Sequence, residues 1–264
     1  MPDLDPVALL AAYDRQLRGA AEVPASPHTV QHGPLVWGRF SGGRGFVTYH
    51  DLGGATGDAL RDLVAATVEH YRADPEVVGF EWKTRGHDHA PGLTELLLEH
   101  GFEPEDPESV MVGRTADLVS DVEPPAGVSI RRVTEPEDVR RMCAMADEAF
   151  GHESPGMADA LLDRIGSGDD DLELWVAEVD GAIVSCGRLE PVADSDFAGL
   201  WGGATLAAWR SRGIYRALTS ERARSALRRG KSLVNSDSTE YSRPILERAG
   251  LVKVTTTTPY QWTR

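Results

Sequence analysis

The stretch from residue 197 to residue 237 constrains the fold of this chain more than any other. An apolar segment, FAGLWGGATL, leads into a short turn that holds three arginines around one glycine, and a helical pattern and the segment KSLVNSD follow. The first and last of these segments are typical of strands, and the spacing of Ile214 and Leu218 gives the helix an apolar face that docks on a sheet. Strand, helix and strand in this order predict an α/β fold.

The overall composition predicts a globular chain of one large or two small domains. The sequence has 264 residues, of which 41% are apolar and 26% are charged, and both values are ordinary for globular proteins. It contains no apolar run of about 18 residues and no signal-peptide pattern, so we expect neither a membrane span nor a membrane partner. Cys143 and Cys186 are the only cysteines, which favours thiols in the core over disulfides and favours a cytoplasmic location.

The segment DVEPPAGVS, residues 121–129, is the best candidate for a linker between two domains, 1–120 and 121–264. Its prolines and glycine interrupt both helical and strand periodicity. In the first domain the apolar patterns predict strands at 34–40, 45–49 and 77–84 and helices at 57–73 and 91–102. In the second they predict strands at 128–133, 197–206, 231–237 and 251–263, a hairpin at 172–192 that turns at Asp180-Gly181, and helices at 135–150, 157–168, after the arginines and at 242–250.

The two halves end in the same pattern. LLEHGF, residues 97–102, matches LERAGL, residues 246–251, because each is a helix end, a glycine cap and an apolar residue that enters a strand. Each match follows a helix, a strand and a second helix. We interpret this as a degenerate duplication of one α/β unit.

The turn WRSRG has the composition of an anion site. Residues 208–231 hold eight Arg or Lys and one acid, Glu221, in a chain whose formal net charge is −15. The first amides of a helix have no partners inside the helix, and a glycine at that point lets an anion approach without a Cβ in the way. Two phosphates in series would match this turn.

The segment TLAAWRSRGIYRAL resembles motif A of the GNAT superfamily, the acyl-CoA N-acyltransferases. That motif, [QR]-x-x-G-x-[GA] after an apolar strand, binds the coenzyme A pyrophosphate. Residues 128–264 follow the GNAT order of elements, and ILERAGL matches the ending of the family pattern. The resemblance implies two GNAT-like units, each a mixed central sheet flanked by helices. It also implies that the first unit, which has HDLGGATGDAL in place of the motif, is structural or shapes the substrate site without binding coenzyme A.

The resemblance implies that the second unit binds acetyl-CoA as a co-substrate, without a metal. The strand before the turn would pair its backbone with the pantetheine arm, and the turn would hold the pyrophosphate. The residues expected to contact acetyl-CoA are Ala204, Thr205, Leu206, Arg210, Ser211, Arg212, Gly213, Ile214, Tyr215 and Thr239. Tyr215 departs from the motif, which has Gly or Ala at that position, and a bulky side chain there would narrow the approach of the phosphate.

The expected catalytic residues rest on chemistry as well as on the resemblance. A primary amine must lose a proton before it attacks a thioester, and a carboxylate is the usual base; Glu190 is the preferred candidate, ahead of Glu178, Asp194 and Asp196. Many GNAT enzymes use a tyrosine to protonate the leaving thiolate, but Leu246 occupies the aligned position. Tyr241 or Ser242 would have to replace it. A strand amide near Thr205 would hold the oxyanion.

Together these features predict direct transfer of an acetyl group to a primary amine of a small molecule, by a monomer or a homodimer. The acidic composition favours a cationic acceptor and disfavours nucleic acid, and the excess of arginine over lysine suggests a GC-rich bacterial source. Two alternatives stay open: a GNAT-fold protein that binds acyl-CoA without turnover, and a binding module whose arginine-rich helix contacts RNA or an acidic partner. The triplet His87-Asp88-His89 has no matched second ligand cluster, so we expect no metal there.

Overall fold

The structure is a computed structural model, and it describes residues 5–23, 26–40, 42–121, 123–168 and 172–264. In these residues the helices, α1 to α7, span Pro6–Leu17, Gly57–Ala73, Leu93–Glu99, Pro136–Phe150, Met157–Gly166, Ile214–Arg228 and Arg243–Arg248. The strands, β1 to β12, span His28–His32, Leu35–Phe40, Arg44–Tyr49, Gly79–Arg85, Glu103–Pro104, Glu108–Arg114, Val128–Val133, Glu173–Val179, Ala182–Pro191, Phe197–Thr205, Leu233–Ser238 and Val252–Thr263.

The chain forms two compact units. The first comprises Met1–Val110, Asp237–Arg243 and Lys253–Arg264, and the second comprises Met111–Ser236 and Pro244–Val252. These units do not follow the expected boundary at residues 120 and 121. The last strand, β12, belongs with the first unit because it pairs antiparallel with β4, from Gly79 opposite Thr263 to Arg85 opposite Thr257.

The first unit has the strand order β1-β2-β3-β4-β12. The neighbours are antiparallel except for β3 and β4, which are parallel and are connected by α2. Helix α2 buries Leu60, Val64 and Val68 at the predicted spacing, and Leu63 packs beside them. The core of the first unit also contains the aromatic rings of Tyr71, Phe80, Trp82, Phe102 and Trp262.

The second unit has the order β7-β8-β9-β10-β11, in which β8 to β11 repeat the pairing of β1 to β4. The pairs are again antiparallel until β10, which runs parallel to β11, and α6 connects these two strands. The hairpin turn predicted at Asp180-Gly181 is confirmed, since both residues have positive φ, 48° and 79°. The duplication inferred from the two matching helix ends is therefore present as two mixed α/β units.

The predicted helices and strands are confirmed, and four elements, α1, β1, the two-residue strand β5 and β6, were not predicted. Helix α1 carries the signals of a helix start, with Asp5 as the N-cap and Pro6 at the first position, and it buries Leu9, Tyr13 and Leu17. Strand β1 is mostly exposed and lacks apolar alternation. Strand β6 is almost wholly buried. In the sequence, such a short apolar run cannot be distinguished from a buried segment of a helix by its periodicity. Within the described residues, none of the helices is both long enough and apolar enough to span a membrane.

Candidate functional site

Strands β10 and β11 of the second unit separate halfway along β10. Their pairing covers only Phe197–Gly199 opposite Leu233–Asn235, although β10 continues to Thr205. On its other side β10 stays paired with β9, where a bulge lies between Trp201 and Ala204. Among the described residues, the second half of β10 therefore has no strand partner on its β11 side. An extended molecule can pair with a strand edge of this kind.

The basic turn follows directly after the unpaired end of β10. Ser211 has φ 62° and Gly213 has φ 80°, so the backbone passes twice through the left-handed region before α6 begins at Ile214. A Cβ on Gly213 would meet no atom within 4 Å. The glycine is therefore required by its backbone conformation, and the space in front of the first amides of α6 is open.

The start of α6 also differs electrostatically from the starts of the helices before it. Helices α1 to α5 each have a carboxylate at the N-cap or in the first turn: Asp5, Asp58, Glu95, Glu137 with Asp138, and Asp159. The first turn of α6 has none, and its N-cap residue is a glycine. Because the free amides and the helix dipole attract negative charge, the start of α6 can accept an external anion.

The three arginines around Gly213 make different contacts. The Arg210 guanidinium donates to the Thr205 carbonyl at 3.0 Å and to the Ala149 carbonyl at 3.1 Å, so it links the end of β10 to the last turn of α4. The Arg212 guanidinium lies over the Trp209 ring, 4.7 Å from its centroid. Arg216 is exposed on the first turn of α6. In this arrangement Arg210 positions the turn, and Arg212 and Arg216 supply positive charge.

Solved structures share this architecture at low sequence identity. A GCN5-related N-acetyltransferase from Kribbella flavida matches with a TM-score of 0.63 and 18% identity over 97% of this chain and 93% of that chain. One from Sphaerobacter thermophilus has a TM-score of 0.64 and 19% identity over 87% and 76% of the two chains. A tandem GNAT protein from the clavulanic acid biosynthesis pathway has a TM-score of 0.60 and 14% identity over 98% and 97%. No protein-family profile and no curated protein matches the sequence.

The chain has a tandem GNAT fold. The neighbours span nearly the whole chain, and the two units described above share one four-strand pairing pattern. The GNAT architecture expected from residues 128–264 and from the paired helix ends is therefore confirmed at the level of the fold. The roles of the individual residues remain predictions.

In this GNAT fold the preferred base, Glu190, lies on β9 between two arginines of the second unit. Its carboxylate accepts from Arg164 Nη1 at 2.9 Å and lies 3.4 Å from Arg188 Nε. An amine that gives its proton to Glu190 must compete with both guanidinium groups. Glu178, a second candidate, is bound by Arg131 at 2.7 Å and 2.9 Å, and these hydrogen bonds hold the pKa of its carboxyl below the usual range.

The candidates for the general acid fall in the first unit. Tyr241 is 81% exposed, and the Ser242 hydroxyl lies 3.4 Å from the Thr239 hydroxyl, which was expected near acetyl-CoA. In the second unit Leu246, at the position aligned with the GNAT tyrosine, is 2% exposed and packs in the core. Tyr241 and Ser242 are neighbours on the segment between β11 and α7, apart in sequence from Glu190 and the basic turn.

Tyr215 has an orientation that the sequence did not reveal. Its ring lies against the backbone of Gly203 on β10, and a Cβ on that glycine would come within 2.7 Å of the hydroxyl. The ring therefore packs on the sheet, and the expectation that this side chain narrows the approach of the phosphate to the turn stays a prediction. Glycine at 202 and 203 in FAGLWGGATL was the available signal, since glycine inside a strand marks a bulge or a close approach.

The first unit fills its corresponding helix start with its own carboxylates. Asp51 accepts from the Gly53 amide at 2.6 Å in the loop before α2, and Asp58 lies in the first turn of that helix. Of the metal-like triplet, His87 bonds to Asp14 and Thr255 and Asp88 bonds to Arg18. Across the described residues, groups of three or more His, Cys, Asp or Glu suited to a metal are absent.

Proposed function

We propose that the chain is an N-acetyltransferase that transfers an acetyl group from acetyl-CoA to a primary amine of a small molecule. The observation that carries this proposal is the separation of β10 from β11 after Gly199, directly before the open, acid-free start of α6. The strand edge suits an extended, amide-bearing arm, and the turn suits a pyrophosphate. Coenzyme A has both parts in that order.

Direct transfer is the mechanism that the cysteines support. Burial raises the pKa of Cys186 to about 12, and burial also raises the pKa of Cys143. The thiolate is the nucleophilic form of cysteine, so both side chains are protonated and unreactive near neutral pH. The amine itself is therefore the proposed nucleophile. The proposed acceptor is a small cationic amine, and the proposed setting is a cytoplasmic monomer or homodimer.

One observation favours a second candidate, a GNAT-fold protein that binds acyl-CoA without turnover. Leu246 fills the position of the usual proton donor and is fully packed in the core. Loss of that donor would slow release of the thiolate without affecting the binding surfaces of β10 and α6.

Calorimetric titration with acetyl-CoA, followed by a thiol-release assay with a panel of amines, tests both candidates. Micromolar binding with release of one thiol for each acetylated amine is the result expected for the enzyme. Binding without release from any amine would favour the second candidate. If acetyl-CoA does not bind, the proposed acetyl-CoA site is wrong. The next hypothesis to test is then that the arginine-rich helix contacts an acidic partner.

The two hydrogen bonds of Arg210 predict that its side chain supports acetyl-CoA binding by ordering the turn as well as by its positive charge. We expect Arg210→Ala to weaken acetyl-CoA binding about tenfold with the fold intact, because the turn loses two charge-assisted hydrogen bonds that order it. Arg210→Lys keeps the charge but cannot reach both carbonyls with a planar fork, so it should also bind more weakly than wild type. Titration calorimetry of both variants measures this.

Arg228→Ala, which removes a cation from the last turn of α6, is the matched control and should bind acetyl-CoA like wild type. Wild-type affinity in Arg210→Lys would show that only the charge matters. Wild-type affinity in Arg210→Ala as well would remove Arg210 from the site altogether.

A further inference from the structure

Tyr215 lies where a ligand on β10 would come within reach of its hydroxyl. It is the second residue of α6, and its ring covers the Cα of Gly203. A Cβ at that position would lie 2.7 Å from the hydroxyl oxygen and 2.8 Å from Cε2, so only glycine permits the contact. Gly203 belongs to the half of β10 that has no strand partner on the β11 side.

The Tyr215 hydroxyl is a donor with no acceptor in the part of the chain that the structure describes. Among the residues that the structure describes, none forms a hydrogen bond with it, although the side chain is half-buried and packed on the sheet. Buried or partly buried tyrosine hydroxyls usually find a partner. The phenol is thus held in a fixed position with its donor available.

A buried positive charge lies over the ring. Arg222 is fully buried, and its guanidinium carbon is 5.8 Å from the Tyr215 ring centroid. It donates to the Arg188 carbonyl at 3.1 Å and to the Thr219 hydroxyl at 3.0 Å, and both acceptors are neutral. No carboxylate of the described residues lies within salt-bridge distance of it.

A buried guanidinium without a counter-ion is costly to a fold and makes the surrounding space favourable for negative charge. Because this charge lies close to the ring, it stabilises electron density that accumulates near the Tyr215 hydroxyl. A fixed donor and a fixed positive charge together are the arrangement that stabilises an oxyanion as it develops.

We propose that the Tyr215 hydroxyl donates a hydrogen bond to the thioester oxygen during acyl transfer. This inference rests on the proposed function. The amine lone pair forms a C–N bond to the carbonyl carbon, and the C=O pair moves to oxygen, where Tyr215 donates. When C=O forms again, the C–S bond breaks, sulfur leaves with the electron pair and takes a proton, and nitrogen loses its proton to solvent. Amine and thioester become amide and thiol.

The test compares Tyr215→Phe with wild type in acetyl-CoA titration and in thiol release with the best amine of the panel. The variant keeps the ring and its packing and loses only the donor. Loss of one such donor lowers kcat by about 10² to 10³, so we expect a fall of at least about tenfold in kcat with the Kd of acetyl-CoA unchanged. Tyr260→Phe, which removes a hydroxyl from β12, is the control for loss of a phenol oxygen.

Two further variants make the outcome decisive. Gly203→Ala forces the Tyr215 hydroxyl away from β10, so it should lower kcat and add little to the defect of Tyr215→Phe in the double variant. Tyr241→Phe tests the competing tyrosine. Full kcat in Tyr215→Phe, or a defect confined to the Kd of acetyl-CoA, would overturn the assignment. Absence of acetyl-CoA binding in wild type would instead refute the proposed function, which separates the two failures.

Discussion

Replacing Gly213 by glutamate is expected to abolish acetyl-CoA binding. The new carboxylate would lie at the open start of α6, where the first amides and the flanking arginines attract an anion. At an effective dielectric constant of about 20, two unit charges about 4 Å apart repel by about 4 kcal/mol, which corresponds to about a thousandfold loss of affinity. Titration calorimetry with acetyl-CoA measures the change.

The matched control is Gly156→Glu. Gly156 is the N-cap of α5 in the same unit, with φ 77° where Gly213 has φ 80°, and a Cβ on it also meets no atom within 4 Å. Both variants pay the same cost of about 1–2 kcal/mol for a side chain in the left-handed region. Only Gly213→Glu should lose acetyl-CoA. Equal losses in both variants, or in neither, would remove the anion site from α6.

Replacing Glu173 by alanine is expected to lower the free energy of unfolding of the second unit by about 3 kcal/mol, because partners of a buried ion pair lose their acceptor. Glu173 is 1% exposed on β8. Its carboxylate accepts from the Trp175 indole at 2.8 Å, and from Ser225 of α6 and from Arg229, the residue that follows α6, at 2.9 Å each. The change therefore loosens α6, which carries the basic turn, from the sheet.

Urea unfolding of the variant measures this, with Glu221→Ala as the control. Glu221 also pairs with an arginine of α6, Arg224, but its side chain is 37% exposed. An exposed pair of this kind contributes at most about 0.5 kcal/mol. Similar decreases in the free energy of unfolding in the two variants would show that burial of Glu173 does not increase its contribution to stability.

The contribution of Glu173 should depend on pH in a defined direction. Burial alone would raise its pKa, but the hydrogen bonds from Ser225 and Trp175, together with Arg132 and Arg229, outweigh burial and lower the pKa. A lowered pKa in the folded state means that the stability is present above the unfolded value, about 4.3, and is lost as the pH falls through the folded pKa. The difference between wild type and Glu173→Ala should therefore be full at neutral pH and shrink below about pH 4. A constant difference would contradict this.

The sequence predicts well what short-range rules control. The Asp180-Gly181 turn, the apolar face of α2 and the strand, turn and helix around Gly213 depend on neighbours within a few residues, and all of them are confirmed. The sequence also contains the signals for α1, which are Asp5, Pro6 and apolar residues that recur every fourth position. The motif around Gly213 led to the GNAT fold in the same way.

Long-range contacts were decided only by the tertiary structure. The pairing of β12 with β4 joins residues more than 170 positions apart. The backbone N–H and C=O groups at a strand edge are the same in every residue, so the sequence does not show which strand they will pair with. The same holds for the Ala149 carbonyl that Arg210 binds, 61 positions away, and for Arg164 on Glu190, 26 positions away. Local sequence sets dihedral angles and amphipathic faces, and so it determined the elements and the anion-binding turn. Which faces meet, and hence which neighbour sets the chemistry of Glu190 or Tyr215, depends on packing across the whole chain.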